Sequence, residues 1–273
     1  MKYLKFKIKI FSIIFLAILV FGTIGFSISE NISLTDSFYF IITTISTVGY
    51  GDVHPITGNG KIIAILIIIL GVGAFLGVIA NSLEIMLSIR EKNHRNEKIN
   101  MIIGAFFSEA GTELITYLSG FDQSLNKIRK QLVMNNDCSN KNFNLIRRKL
   151  KKYHYKIDID KSALPKLRKF FIDRKDFLLR LMENPYILEH ESFAELLMAV
   201  FHLAEELEHR NRISQLPEED LDHLSNDIER VYTLLVYQWL DYMQHLKKNY
   251  PYLFSLAIRI NPFDPNATAI VCK

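Results

Sequence analysis

The sequence predicts an all-α membrane protein, with two spanning helices and a re-entrant half-helix in its first third and a soluble α-helical domain behind them. Three observations carry this. The runs Ile10–Ser29 and Ile62–Leu83 contain no charged residue. Between them lies a shorter apolar stretch, Leu34–Ser46, too short to cross a bilayer as a helix. Beyond Arg90 the chain becomes rich in Lys, Arg, Glu and Asp, and its apolar residues recur at helical spacing. Whole-chain averages over 273 residues (49% hydrophobic, 23% charged, net charge +4) hide this division. So mild a basic excess does not mark a nucleic-acid binder. Cys138 and Cys272 lie far apart with no CxxC pair, which predicts reduced thiols in a cytosolic region.

At about 1.5 Å per residue the first run reaches about 30 Å, the thickness of the hydrocarbon core. A secretory signal is the competing reading, since Lys2, Lys5, Lys7 and Lys9 precede the run and Ser27-Ile28-Ser29 resembles a cleavage site. The apolar stretch is longer than such signals use. Orientation follows from the flanks. Lysines precede the first run, and Arg90, Lys92, Arg95 and Lys98 follow the second. Segment 30–61 carries only one basic residue, Lys61, apart from His54. Both ends of the chain are therefore expected in the cytoplasm, in a multi-pass protein of the cell membrane. The basic cluster below the second run is also placed to meet anionic lipid.

The connecting stretch is re-entrant by length, with Ser33 or Thr35 as its N-cap. Backbone at membrane depth that does not span must be buried in protein or line water. It leads into Thr47-Val48-Gly49-Tyr50-Gly51-Asp52. The first five residues match the TVGYG loop already known to coordinate potassium through its carbonyl oxygens. The physical need is for several oxygens pointing inward at once. Gly49 and Gly51 lack a β-carbon and can turn successive carbonyls to one side. The Thr47 hydroxyl adds an inner oxygen, while Val48 and Tyr50 pack behind. Tyr39 and Phe40 are candidates for an aromatic cuff around Tyr50, and Asp52 for raising cation concentration at the outer mouth. One such loop per chain implies four chains about one axis.

Ser37 to Pro55 (SFYFIITTISTVGYGDVHP), with Gly60-Lys61 and Gly71-Val72-Gly73-Ala74-Phe75, resembles the pore region of prokaryotic two-transmembrane potassium channels. The resemblance spans roughly residues 10–92 and implies a homotetrameric pore that passes K+ without any cofactor. It implies an inner-helix hinge at Gly71. Close packing by Gly71, Gly73 and Gly77 explains the same residues and stays open beside it. It implies a cavity lined by Val72, Phe75 and Ile79, with Ile79, Leu83 and Leu87 at an inner constriction. Lipid or helix contact is their other reading. Thr43 stands where some members carry an acidic residue behind the filter, which puts in doubt any inactivation through a buried carboxyl pair. No arginine-rich voltage-sensing segment is present.

The domains expected are thus a pore domain, 1–92, and a helical cytoplasmic domain, 93–273, that regulates or assembles the pore. Breaks at Gly104, Gly111, Gly120, Asn135-Asn136-Asp137, Pro185, Pro217 and Pro251 predict helices over 107–118, 122–134, 140–153, 162–183, 190–211, 217–248 and 251–258. Tyr155–Asp160 alternates as a short extended piece, and 261–273 reads as a polar tail. Leu221, Leu224, Ile228, Val231 and Leu235 form a seam that suits an intramolecular bundle better than a four-chain zipper. The run Arg147, Arg148, Lys149, Lys151 and Lys152 reads as a solvated face or a lipid contact.

No GxGxxG unit after a strand, cyclic-nucleotide β-roll or EF-hand loop is legible, so the sequence does not identify a ligand for this domain. His202, Glu205, Glu206 and His209 share a helical face, and His202, Glu206 and His209 are candidate metal ligands. A charged face with i,i+4 pairing is the plainer reading. No nucleophile–base arrangement is visible, so an enzyme is not expected. A transporter subunit would need several imperfect filter repeats, where this chain has one complete one. A metal-dependent function of the tethered helical domain is the remaining alternative.

Overall fold

Lipid offers an unpaired backbone group no partner, so an uncharged run must satisfy its own N–H and C=O groups, as a helix does. In the computed structural model, which describes residues 2–159, 161–211 and 213–271, the first run lies within α1 (Lys2–Glu30). Its outward side chains are nearly all apolar, with Leu16, Phe21 and Ile28 more than half exposed. That surface is costly in water and at home in hydrocarbon. Two compact units divide the chain, Met1–His94 and Arg95–Lys273.

In the first unit, α2 (Leu34–Ile45) is the predicted half-helix. Ser33 caps it, its Oγ accepting the Asp36 N–H at 3.1 Å. Then follow α3 (Gly58–Leu66), a π-helical segment Ile67–Val72, and α4 (Gly73–Phe106), within which the boundary between the units falls. Phe26, Phe40, Ile41, Ile45, Ala64 and Ile67 form the core where α1, α2 and α3 meet.

The glycines of the second run divide by role. A β-carbon on Gly71 would lie 2.8 Å from the Ile45 side chain, and one on Gly77 2.4 Å from the Phe11 ring. Gly73 faces open space. Close packing therefore accounts for Gly71 and Gly77 but not Gly73. Gly71 also sits in the π segment, a kind of irregularity found often at functional positions.

In the second unit a π segment, Phe107–Gly111, precedes α5 (Thr112–Ser119). After it come a 3₁₀ turn at Leu125–Lys127, α6 (Arg129–Leu132), α7 (Asn140–Leu150), α8 (Leu164–Met182), α9 (Glu191–His209), α10 (Glu218–Asn249) and α11 (Pro251–Arg259). α10 is central and packs against α5, α7, α9 and α11. Acidic Glu218, Glu219 and Asp220 open it, and Lys247 and Lys248 close it, in accord with its dipole. Leu224, Ile228, Val231 and Leu235 are buried within the single chain, so this seam is bundle core.

Several expectations are corrected. Gly104 and Gly111 do not break the helical run; Gly104 faces the Tyr242 ring and Gly111 the Phe106 and Phe107 rings, so packing overrides propensity. The helix expected over 122–134 is only a 3₁₀ turn and α6. Buried Asp122 accepts from the Tyr153 hydroxyl at 2.6 Å and from the Ser124 N–H at 2.9 Å. The neighbouring backbone pairs instead with 156–158, through Gln123 N–H to Lys156 O and Asp158 N–H to Phe121 O. The alternating piece contributes one isolated bridge, Asp122 to Ile157, and its end, Asp160, lies outside the described residues. The expected polar tail begins inside the core. Asn261 is fully buried and donates to Leu132 O at 2.9 Å, and Phe263 packs edge-on against Trp239. Cys138 is a buried free thiol, and Cys272 lies outside the described residues.

Candidate pore and the charged cluster of the helical domain

Residues 47–52 leave α2 in an irregular path. Thr47, Gly49 and Gly51 take positive φ of 61°, 53° and 79°. The path is anchored to the end of α2, where the Thr43 carbonyl accepts the N–H groups of Val48 at 3.0 Å and Gly49 at 3.1 Å. The Thr43 hydroxyl donates back to Tyr39 O and Phe40 O. Thr43 thus holds the loop by its backbone, a role the sequence does not display. Asp52 accepts from the Val53 N–H at 3.0 Å. Val48 and Tyr50 are 53% and 72% exposed in the single chain.

Phe40 is not part of a cuff around Tyr50 within the chain. It is buried and stacks on Phe26 of α1, with ring centroids 4.1 Å apart. Phe75 likewise turns to α1, 5.8 Å from the Phe15 ring. Val72 is half-buried, whereas Ile79, Leu83 and Leu87 are exposed on one face of α4.

Glu30 was not legible as a supporting residue. Its carboxylate accepts from the N–H groups of Ile56 at 3.1 Å and Thr57 at 3.0 Å, and from the Thr57 hydroxyl at 2.8 Å. It thereby ties the end of α1 to the return loop. A β-carbon on Gly60 would fall 1.7 Å from its Oε1. The one signal was an acidic residue closing an uncharged run.

The candidate metal ligands do not assemble as the spacing suggests. The His209 ring nitrogen Nδ1 lies 2.9 Å from the Glu205 carbonyl, one turn back on its own helix. Arg210 occupies Glu206 at 2.6 Å and Asp220 at 2.7 Å. Among the described residues no group of three or more His, Cys, Asp or Glu side chains is arranged to hold a metal. In the basic run, Arg147 pairs with Asp241.

Hydrogen bonds from Arg210 hold the Glu206 and Asp220 carboxyls below the usual carboxylate range. A carboxyl whose pKa is lower folded than unfolded adds stability above its unfolded value, near 4, and loses it as pH falls through the folded one. Arg210→Met should therefore lower stability at neutral pH and flatten the acid limb of unfolding below about pH 4. Acid titration followed by fluorescence of Trp239, the single tryptophan, reads this out. An acid limb identical to wild type would show that Arg210 does not hold these carboxyls.

An ion-channel family matches residues 13–88, and the C-terminal helical domain of protein MJ1433 matches residues 95–259. MJ1433 of Methanocaldococcus jannaschii is 49% identical over 188 residues, 69% of this chain and 75% of that protein. Two-pore potassium channel 4 of Arabidopsis thaliana is 39% identical over 75 residues, 28% of this chain and 26% of its own. The calcium-gated potassium channel TvoK of Thermoplasma volcanium is 28% identical over 97 residues, 33% of this chain and 28% of its own. This chain thus spans only about a quarter of either of these two channels. No solved structure matches. With its helical domain matched over 165 residues (95 to 259) and a potassium-channel-type pore domain ahead of it, this membrane protein belongs to the family of MJ1433.

Proposed function

We propose that four copies of this chain form a potassium-selective pore in a cell membrane. Ions would cross passively, each partly displaced by the next, through a filter made by Thr47 to Asp52. The observation that carries the reading is the hexapeptide itself, with both of its glycines at positive φ, hung from the end of an apolar half-helix. Inward carbonyls replace the hydration shell of the ion, and four loops are needed to surround it. The exposure of Val48 and Tyr50 in one chain supports the tetramer, because neighbouring copies would cover them. Relatives named as potassium channels support the choice of ion.

Ile79, Leu83 and Leu87 would ring the inner mouth, where large aliphatic side chains gate by dewetting. Gly71, in its π segment, is the proposed point of bending. The helical domain, cytoplasmic in this reading, follows directly along the chain and would bias that bend. The test is single-channel recording from reconstituted protein in asymmetric potassium and sodium. We expect a reversal potential close to that of potassium. Equal passage of sodium, or no unitary current from intact tetramers, would overturn the reading.

A further inference from the structure

The fold brings together side chains of α9 and α10 that lie far apart in the sequence. Asp227 is 5% exposed, and among the described residues its Oδ2 accepts no hydrogen bond. Two imidazole nitrogens face that oxygen, His202 Nε2 at 3.5 Å, from α9, and His223 Nε2 at 3.4 Å, one turn back on α10. The same two imidazoles face Glu206, at 3.9 Å and 3.7 Å. These distances exceed an ordinary N–H to oxygen bond but lie within ion-pair reach.

We propose that His202, His223 and Asp227 are a proton-operated clasp between α9 and α10. A buried carboxylate without a hydrogen-bond donor is costly. A protonated imidazole carries a hydrogen on Nε2, and with it a positive charge, whichever tautomer preceded it. Both rings are about half exposed, 47% and 53%, so solvent protons reach them.

The surrounding charge favours the same step. Glu206 and Asp220 add two negative charges to that of Asp227, and Arg210, which binds both of them, returns one positive. The cluster carries a net charge of −2 with neutral imidazoles and is balanced when both are protonated. From α8, Arg168 and Lys175 are engaged elsewhere, at the Glu208 carbonyl and carboxylate. The 3₁₀ turn Ile213–Gln215 brings no titratable side chain. The inference rests on the helical domain alone and stands whether or not the pore selects potassium.

The test uses the full chain in detergent, with chelator present. Trp239 is the single tryptophan, buried in the core on α10, so its fluorescence follows unfolding of this domain in urea. Between about pH 8 and pH 6 the unfolding equilibrium constant should fall about tenfold further in wild type than in His202→Gln/His223→Gln. Asp227→Asn should lose the same increment with both histidines in place. His245, which burial and Lys248 hold below its ordinary range, opposes folding on acidification in every variant alike and cancels. The double histidine variant decides the matter if Asp227→Asn does not fold. A wild-type pH response in that double variant, or a response that the chelator abolishes, would overturn the clasp.

Discussion

Alanine at position 49 should end selective conduction by the proposed pore, while alanine at position 73 should leave it intact. The two glycines are matched in one respect: a β-carbon at either meets nothing within 4 Å in the chain. They differ in backbone. Gly49 sits at φ +53°, and Gly73 lies in helix α4. An L-residue in the left-handed region costs roughly 1–2 kcal/mol, so four copies acting together would lose about 4–8 kcal/mol. In the proposed filter that strain would be relieved by rotating the Gly49 carbonyl away from the axis, where an ion would need it. In the helix the same change is favoured by propensity, by up to about 1 kcal/mol. We expect the potassium-to-sodium permeability ratio of Gly49→Ala to fall at least about tenfold, or its current to vanish. Gly73→Ala should conduct as wild type. Equal behaviour of the two variants would mean that the left-handed backbone at 49 is not what holds the filter.

The second large effect falls in the helical domain. Phe193 is fully buried on α9, its ring edge-on to Phe106 at 5.5 Å. Removing such a ring leaves a cavity, and Phe193→Ala should cost about 3–5 kcal/mol. Met198 on the same helix is 61% exposed, and Met198→Ala should change stability by less than about 0.5 kcal/mol. Urea unfolding of the full chain, followed through Trp239, measures both. Loss of the Phe193 ring should also alter open probability if this domain biases the inner helix, with ion selectivity unchanged. Unaltered gating in a variant with a shifted unfolding midpoint would separate the domain from the gate.

What could be read from residue order was whatever depends on neighbours along the chain. Uncharged runs of spanning length marked α1 and the second span, because lipid penalises every unpaired backbone group. The half-helix with its Ser33 cap and the hexapeptide behind it are contiguous, so motif and spacing sufficed. The extent and seam of α10 followed from its acidic start and apolar repeat. Tertiary structure decided whatever joins residues far apart. It carried a helical run through Gly104, which packs against the Tyr242 ring, and through Gly111, where the Phe106 and Phe107 rings fill the space a side chain would take. It broke the helix expected near 122–134 because Asp122 and its neighbours found partners near 153–158. It turned Phe40 and Phe75 toward α1, and it set His223 and Asp227 from α10 against His202 and Glu206 from α9. Helical periodicity says which residues share a face of one helix; which face of another helix meets it depends on how all the buried side chains fill space at once.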